Sequence, residues 1–261
     1  MIKGLYTSAA GMLPLSFRQD LMTNNLANSS TAGFKRDRLF IHDLITADLY
    51  LNEHQFASTG ERPRTISVSP DAFFASVGNS SQVVEERTDF SQGAMDVTGN
   101  DFNLGIEGDG FFTVQTPQGT QYTRNGFFNI GVNSSLVTAA GFPVLGTAGP
   151  INVQGRKFTV LRNGDVYVDN ELRGRLRIVD FPKPYKLSKT ANDLFTSQGG
   201  AAGQAAQNFR VNQGMLEKAN AHPVDQLVQM IELQRLFEIG QRAIRMQDET
   251  LQQAISQVGR V

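Results

Sequence analysis

Five apolar residues stand at strict seven-residue spacing near the C-terminus: Met230, Phe237, Ile244, Leu251 and Val258. Seven residues make nearly two helical turns, so this repeat lines up on one face of an α-helix. Pro223 suits a first helical turn, and Asp225 is favoured near the positive end of the helix dipole. From Pro223 to Val258 such a helix extends about 54 Å at roughly 1.5 Å per residue. That is longer than a compact β domain needs for a cover, so the helix must find apolar partners elsewhere. Its companion seam, Leu233, Gly240, Gln247 and Ala254, contains small and polar residues.

The other end of the chain repeats the theme more weakly. Leu5, Met12, Gln19 and Leu26 recur at every seventh position, with Ser8, Leu15 and Met22 between them. Residues 2–28 therefore read as a helix. Pro14 falls inside it, where a proline removes a hydrogen bond, and this predicts a kink or a helix that begins at Pro14. Turn formers from Asn28 to Gly33 end the element.

The middle is different. Phe111-Phe112-Thr113-Val114 precedes Pro117-Gln118-Gly119, and Tyr122-Thr123-Arg124 precedes Asn125-Gly126, a pair that signals a two-residue hairpin turn. Asn133-Ser134, Ala140-Gly141 and Asn163-Gly164 continue the punctuation. Leu176, Ile178 and Asp180 alternate with Arg177, Val179 and Phe181, as in a strand with one better-buried face. Residues 199–206, all glycine, alanine or glutamine, read as a small-residue linker. Between the first helix and this region, His42 to Leu51 could form a short helix, and Gly60 to Pro70 looks extended.

These patterns predict an α+β fold: a central all-β domain flanked by long N- and C-terminal helices that pair in a coiled-coil-like helical domain. The expected divisions are 1–38 for the N-terminal helix, 39–82 for an extended connector, 83–209 for the β domain and 210–261 for the C-terminal helix. Leu5, Met12, Leu15, Met22, Leu26, Met230, Leu233, Phe237, Ile244, Leu251 and Val258 are the expected assembly interface.

Composition narrows the chemistry. Lys and Arg total 24 against 25 Asp and Glu, with no basic block, which argues against nucleic acid as a partner. There are no cysteines, so disulfides, thiolate metal sites and cysteine nucleophiles are excluded. No apolar run approaches the roughly 20 residues of a membrane-spanning helix, and membrane insertion is not expected. The N-terminus lacks the apolar stretch of a cleaved signal peptide. Glu107 and Asp109 flank Gly108, but a bare carboxylate pair in a glycine-rich turn has no base, orienter or pocket. His42, His54 and His222 share no metal-ligand spacing. Catalysis and cofactors are not expected.

Several stretches resemble one family. Asn24-Asn25-Leu26-Ala27-Asn28, followed by Thr31-Ala32-Gly33-Phe34-Lys35-Arg36, is similar to the basal-body rod signature of the bacterial flagellar axial proteins. Phe90-Ser91-Gln92-Gly93, Thr98-Gly99-Asn100 and Ile106-Glu107-Gly108-Asp109-Gly110-Phe111-Phe112 resemble the rod and hook β-domain motif, which Tyr122 to Gly126 extends. Asn212-Gln213-Gly214, Asn220, Pro223-Val224, Met230-Ile231, Gln234-Arg235 and Phe237-Glu238 resemble the family's terminal helix motif. Pro143 to Gly146, Gly149 to Ile151 and Leu176 to Phe181 most resemble its proximal rod members, with the distal members as the alternative. The resemblance implies a structural subunit of the basal-body rod, exported by the flagellar type III apparatus and polymerised across the periplasm. It implies copies of itself and other rod proteins, proximal and distal, as partners. It also implies a helical tube with terminal helices inside and β domains outside. A periplasmic or surface oligomeric binding module is the reading from a different class.

Overall fold

A computed structural model of the chain describes residues 2–43, 82–155, 157–198 and 203–258. The chain divides into two compact units. One contains residues 1–27, 37–89 and 222–261; the other contains residues 28–36 and 90–221.

The first unit holds helix α1, Ile2–Ala27, and helix α2, Pro223–Val258. Strands Asp37–Asp43 and Gln82–Thr88 pair antiparallel in the same unit, with Asp37 opposite Thr88 and Asp43 opposite Gln82. Helix α1 runs through Pro14, which is buried, so the expected start at Pro14 is not observed. Helix propagation on both sides, supported by packing, outweighs the single lost hydrogen bond. The proposed helix from His42 and the extended stretch from Gly60 fall mostly at 44–81, outside the described residues.

The expected fold class is overturned. Strand dominates the chain, with nineteen strands against two helices among the described residues. The terminal helices do not form a coiled-coil pair. The sequence gives a physical reason: polar Ser8 and Gln19 interrupt one repeat, and Gly240 and Gln247 interrupt the other. A continuous ladder of apolar knobs cannot form from such seams. The helices approach closely where a side chain is missing: a β-carbon placed on Gly240 would lie 3.3 Å from Met12 Cγ.

The second unit is built on a six-stranded antiparallel sheet. Its order is Leu187–Thr190, Leu194–Ser197, Gly119–Thr123, Phe111–Thr116, Ile178–Asp180 and Gln204–Ala205. Adjacent side chains on a strand point to opposite faces, and here both faces are covered. Phe112, Val114 and Ile178 join a large core with Leu104, Ile106, Phe128 and Val211. Phe111 and Val179 enter a second, aromatic cluster with Phe181, Leu187 and Phe195. This explains why Ile178 and Val179 are both buried where alternation predicted one better-buried face.

Most of the expected turns are hairpin turns. Thr116 pairs with Gly119 across Pro117-Gln118, and Ile130 pairs with Leu136 around Asn133-Ser134. Asn163-Gly164 lies between Phe158–Val160 and Asp165–Val168, which pair with each other. Asn125-Gly126 is not a hairpin turn, because the strands on either side of it pair elsewhere. Gly126 is required for a different reason: a β-carbon there would lie 1.6 Å from the Leu104 carbonyl oxygen.

Candidate assembly site and the buried junction

Helix α2 has two faces. At 3.6 residues per turn, Gln226, Met230, Leu233, Phe237, Gly240, Ile244 and Leu251 fall on one stripe. Leu233 is 2% exposed, and Met230, Phe237, Ile244 and Leu251 are half-buried. The expected seam is thus the side of α2 turned toward its own unit. On the opposite side Val224, Leu227, Val228 and Ile231 form a second apolar stripe, which is exposed, and exposed Ile239 and Met246 continue it between Arg235, Glu238 and Arg242. Exposure reaches 70% at Val224 and 61% at both Ile239 and Met246. Seven-residue counting passed over this stripe because its members do not share one heptad position.

On α1, Met22 is buried, and Met12, Leu15 and Leu26 are half-buried. The side chains of Leu5 and Val258 lie outside the described residues. Asn25 is buried and joins the end of α1 to the next strand of its unit. Its amide nitrogen donates to the Asp37 carbonyl at 2.9 Å, and the Asp37 amide donates back to its oxygen at 3.0 Å. Asn24 and Ala27 point outward, and Asn28 is half-buried.

Other motif residues converge inside the β unit. Gly33 has φ +68°, and a β-carbon on it would lie 2.3 Å from the Arg124 carbonyl carbon. Only glycine lets segment 28–36 lie this close to that backbone. Phe34 is buried, with Lys189 Nζ 4.0 Å from the centre of its ring. Gly93 permits a similar approach to the Lys218 carbonyl, 1.9 Å from a hypothetical β-carbon. Gly108 and Gly110 both have positive φ, and Phe111 and Phe112 serve the two cores described above. Gly99 has positive φ beside exposed Asn100, whose side chain accepts from the Phe102 amide at 3.0 Å.

At the centre of this junction is Glu217, whose side chain is fully buried. Its carboxylate accepts from Lys35 Nζ at 2.6 Å, from the Gly93 amide at 2.8 Å and from Arg124 Nη1 at 3.3 Å. Lys35 also donates to the Ser91 carbonyl at 2.7 Å, and Arg124 donates to the Gly108 carbonyl at 2.7 Å. The Arg124 guanidinium lies 5.2 Å from the Phe111 ring centre. One carboxylate thus faces two buried cations, and the carbonyl oxygens of Ser91, Ile106 and Gly108 accept from others of their donors, while the buried Arg124 Nε has no hydrogen-bond partner among the described residues. Such an arrangement tolerates burial only while the carboxylate and at least one cation face each other. Lys35 and Arg124 stood inside recognisable motifs, but nothing in local spacing pointed to Glu217 as their common partner. A lone acid between Leu216 and Lys218 reads as a surface residue.

The two carboxylates that flank Gly108 have separate partners. Asp109 pairs with Lys183 at 2.7 Å, and Glu107 accepts from Asn212 at 3.2 Å. His222 is exposed, and His54 lies outside the described residues. No helix among the described residues is long and apolar enough to cross a membrane.

Comparison with known proteins follows the same geography. Residues 5–35, which end in the segment held against Arg124 and Glu217, match the family described as flagella basal body rod protein. Residues 105–168 match the flagellar hook protein FlgE/F/G D1 domain, and residues 212–257 match the flagellar basal body rod FlgEFG protein C-terminal family. The chain is similar to the flagellar basal-body rod protein FlgG of Borreliella burgdorferi, 32% identical over 96% of this chain and 97% of that protein. It is 29% identical to the flagellar basal-body rod protein FlgF of Caulobacter vibrioides over the full length of both. The FlgG of Bacillus subtilis is 30% identical over 98% of this chain and 99% of that protein. Full-length similarity at this level, with all three regions matched in order, shows that the chain belongs to the family of flagellar basal-body rod proteins.

Proposed function

We propose that this structural rod subunit adds to copies of itself and to other rod proteins through the outward stripe of α2, with no catalytic step. The observation that carries the proposal is the pair of opposite apolar faces on one helix. The first face is occupied within the chain. The second presents Val224, Leu227, Val228, Ile231, Ile239 and Met246 to solvent. A group of exposed apolar residues on one side of a helix is costly to leave wet and suits packing against a like surface. A head-to-tail contact of this kind generates an open helical filament when its rotation does not close. Family resemblance further supports delivery by the flagellar type III export apparatus and a tube that crosses the periplasm, with α1 and α2 toward its inside.

The test is the double substitution Ile231→Ser with Ile239→Ser. Both positions are exposed in the subunit, so the purified protein should melt within about 1 kcal/mol of the parent. Its incorporation into basal bodies, and with it motility, should be lost. Normal motility would reject the outward stripe as the contact.

A further inference from the structure

We propose that Glu217 is a latch that fastens the chain's entry into the β unit to its exit, so that the two are held as a single root. The residues that follow α1, Thr31 to Arg36, combine short-range turn bonds, Thr31 amide to the Asn28 carbonyl at 3.0 Å and Phe34 amide to the Thr31 carbonyl at 3.3 Å, with bonds to distant parts of the chain. Lys35 reaches Glu217 across 182 positions of sequence. The Arg36 amide donates to the Asn220 side chain at 2.7 Å, across 184 positions. The Gly33 amide donates to the Glu217 carbonyl at 2.7 Å, and the Asn220 amide donates to the Phe34 carbonyl at 3.3 Å. Lys189 caps the Lys35 carbonyl at 2.7 Å. The segment that precedes α2 therefore supplies four of the bonds that hold the segment that follows α1, through Glu217 and Asn220.

The charges make this fastening conditional. Without Glu217 the pocket would contain two cations and no anion, in a place almost closed to water. The unfavourable term then falls on Lys35, whose segment can leave, more than on Arg124, which is fixed between core strands. Undocking residues 31–36 is the cheapest relief. A buried carboxylate shared by the entering and leaving segments ties the two together within the β unit. Glu217 is thus a positioning residue for the segments that lead to both helices.

Hydrogen exchange of the full-length protein tests it, with the amides of Gly33 and Arg36 read against those of strand Phe111–Thr116. Lys35→Met removes one tie but leaves Glu217 balanced by Arg124, so the fold should persist. The Gly33 and Arg36 amides should then exchange faster by about 10-fold or more, with the core strand unchanged. Glu217→Gln should accelerate the same amides by on the order of 100-fold. Adding Lys35→Met to Glu217→Gln should recover part of any lost thermal stability, because it removes an unpaired cation. Parent-like protection of Gly33 and Arg36 in Lys35→Met would overturn the latch. Equal acceleration of those amides and the core strand would overturn it too, since Glu217 would then belong to one indivisible core. If Glu217→Gln does not fold, the Lys35→Met protein decides the question alone.

Discussion

At the scale of single residues, the motif glycines are not interchangeable. Gly33 and Gly99 share almost the same backbone, with φ +68° and +69°. Yet a β-carbon on Gly33 would collide with the Arg124 and Asn125 backbone, whereas one on Gly99 would meet nothing within 4 Å. Gly33→Ala therefore carries both backbone strain and a clash with atoms that cannot rotate away, about 3 kcal/mol or more. Gly99→Ala carries the strain alone, roughly 1–2 kcal/mol. Thermal melting of the two purified variants should show this order, and equal losses would mean that the close approach at Gly33 is unimportant. The sequence marked both glycines as motif members without ranking them. The ranking depends on which distant backbone lies opposite, and no local pattern encodes that.

At the scale of elements, the heptad of α2 was legible but its meaning was incomplete. A seven-residue repeat marks a face that packs; it does not say whether the partner is the chain itself or another molecule. Here Leu233 is buried within the unit, and Phe237 and Ile244 are half-buried beside it. An aspartate at either position would place a charge against the helix's own packing surface. Phe237→Asp and Ile244→Asp should therefore destabilise the unit that contains the helices, by about 2–4 kcal/mol. The β unit should retain its own transition, since neither residue belongs to its cores. Helical circular dichroism followed against temperature, beside a β-sheet signal, would separate the two. Loss of both transitions together would show that the units are not independent. The opposite stripe was missed because it follows the 3.6-residue turn over a short span and drifts out of heptad register. Asn125-Gly126 failed for a related reason: the dipeptide allows a tight turn, but pairing partners decide whether one forms.

At the scale of the whole molecule, the sequence placed strands in the middle and helices at the ends, while the units draw their residues from across that order. The β unit combines residues 28–36 with 90–221. A border at residue 209 would pass through strand Phe209–Gln213, which pairs with Leu104–Gly108. Val211 on that strand is 1% exposed within the main core. Gln213 holds both ends of strand Phe158–Val160, accepting from the Val160 amide at 3.0 Å and donating to the Phe158 carbonyl at 3.0 Å. Beyond it lies Glu217, the only carboxylate that pairs with Arg124 among the described residues. A fragment of residues 83–209 would thus lose a core strand and leave a buried guanidinium without its anion. Removing one partner of such a pair costs about 3–5 kcal/mol, and losing the Val211 side chain from the core adds roughly 1–3 kcal/mol. Together these rival the whole stability of an ordinary domain, about 5–15 kcal/mol. A fragment of residues 28–221 keeps every one of these contacts and should melt cooperatively with a β-sheet spectrum. The fragment of residues 83–209 should melt at least about 10 °C lower or show no cooperative transition. If the two fragments melt at the same temperature, Glu217 and the strand before it are appended to the β unit and do not complete it.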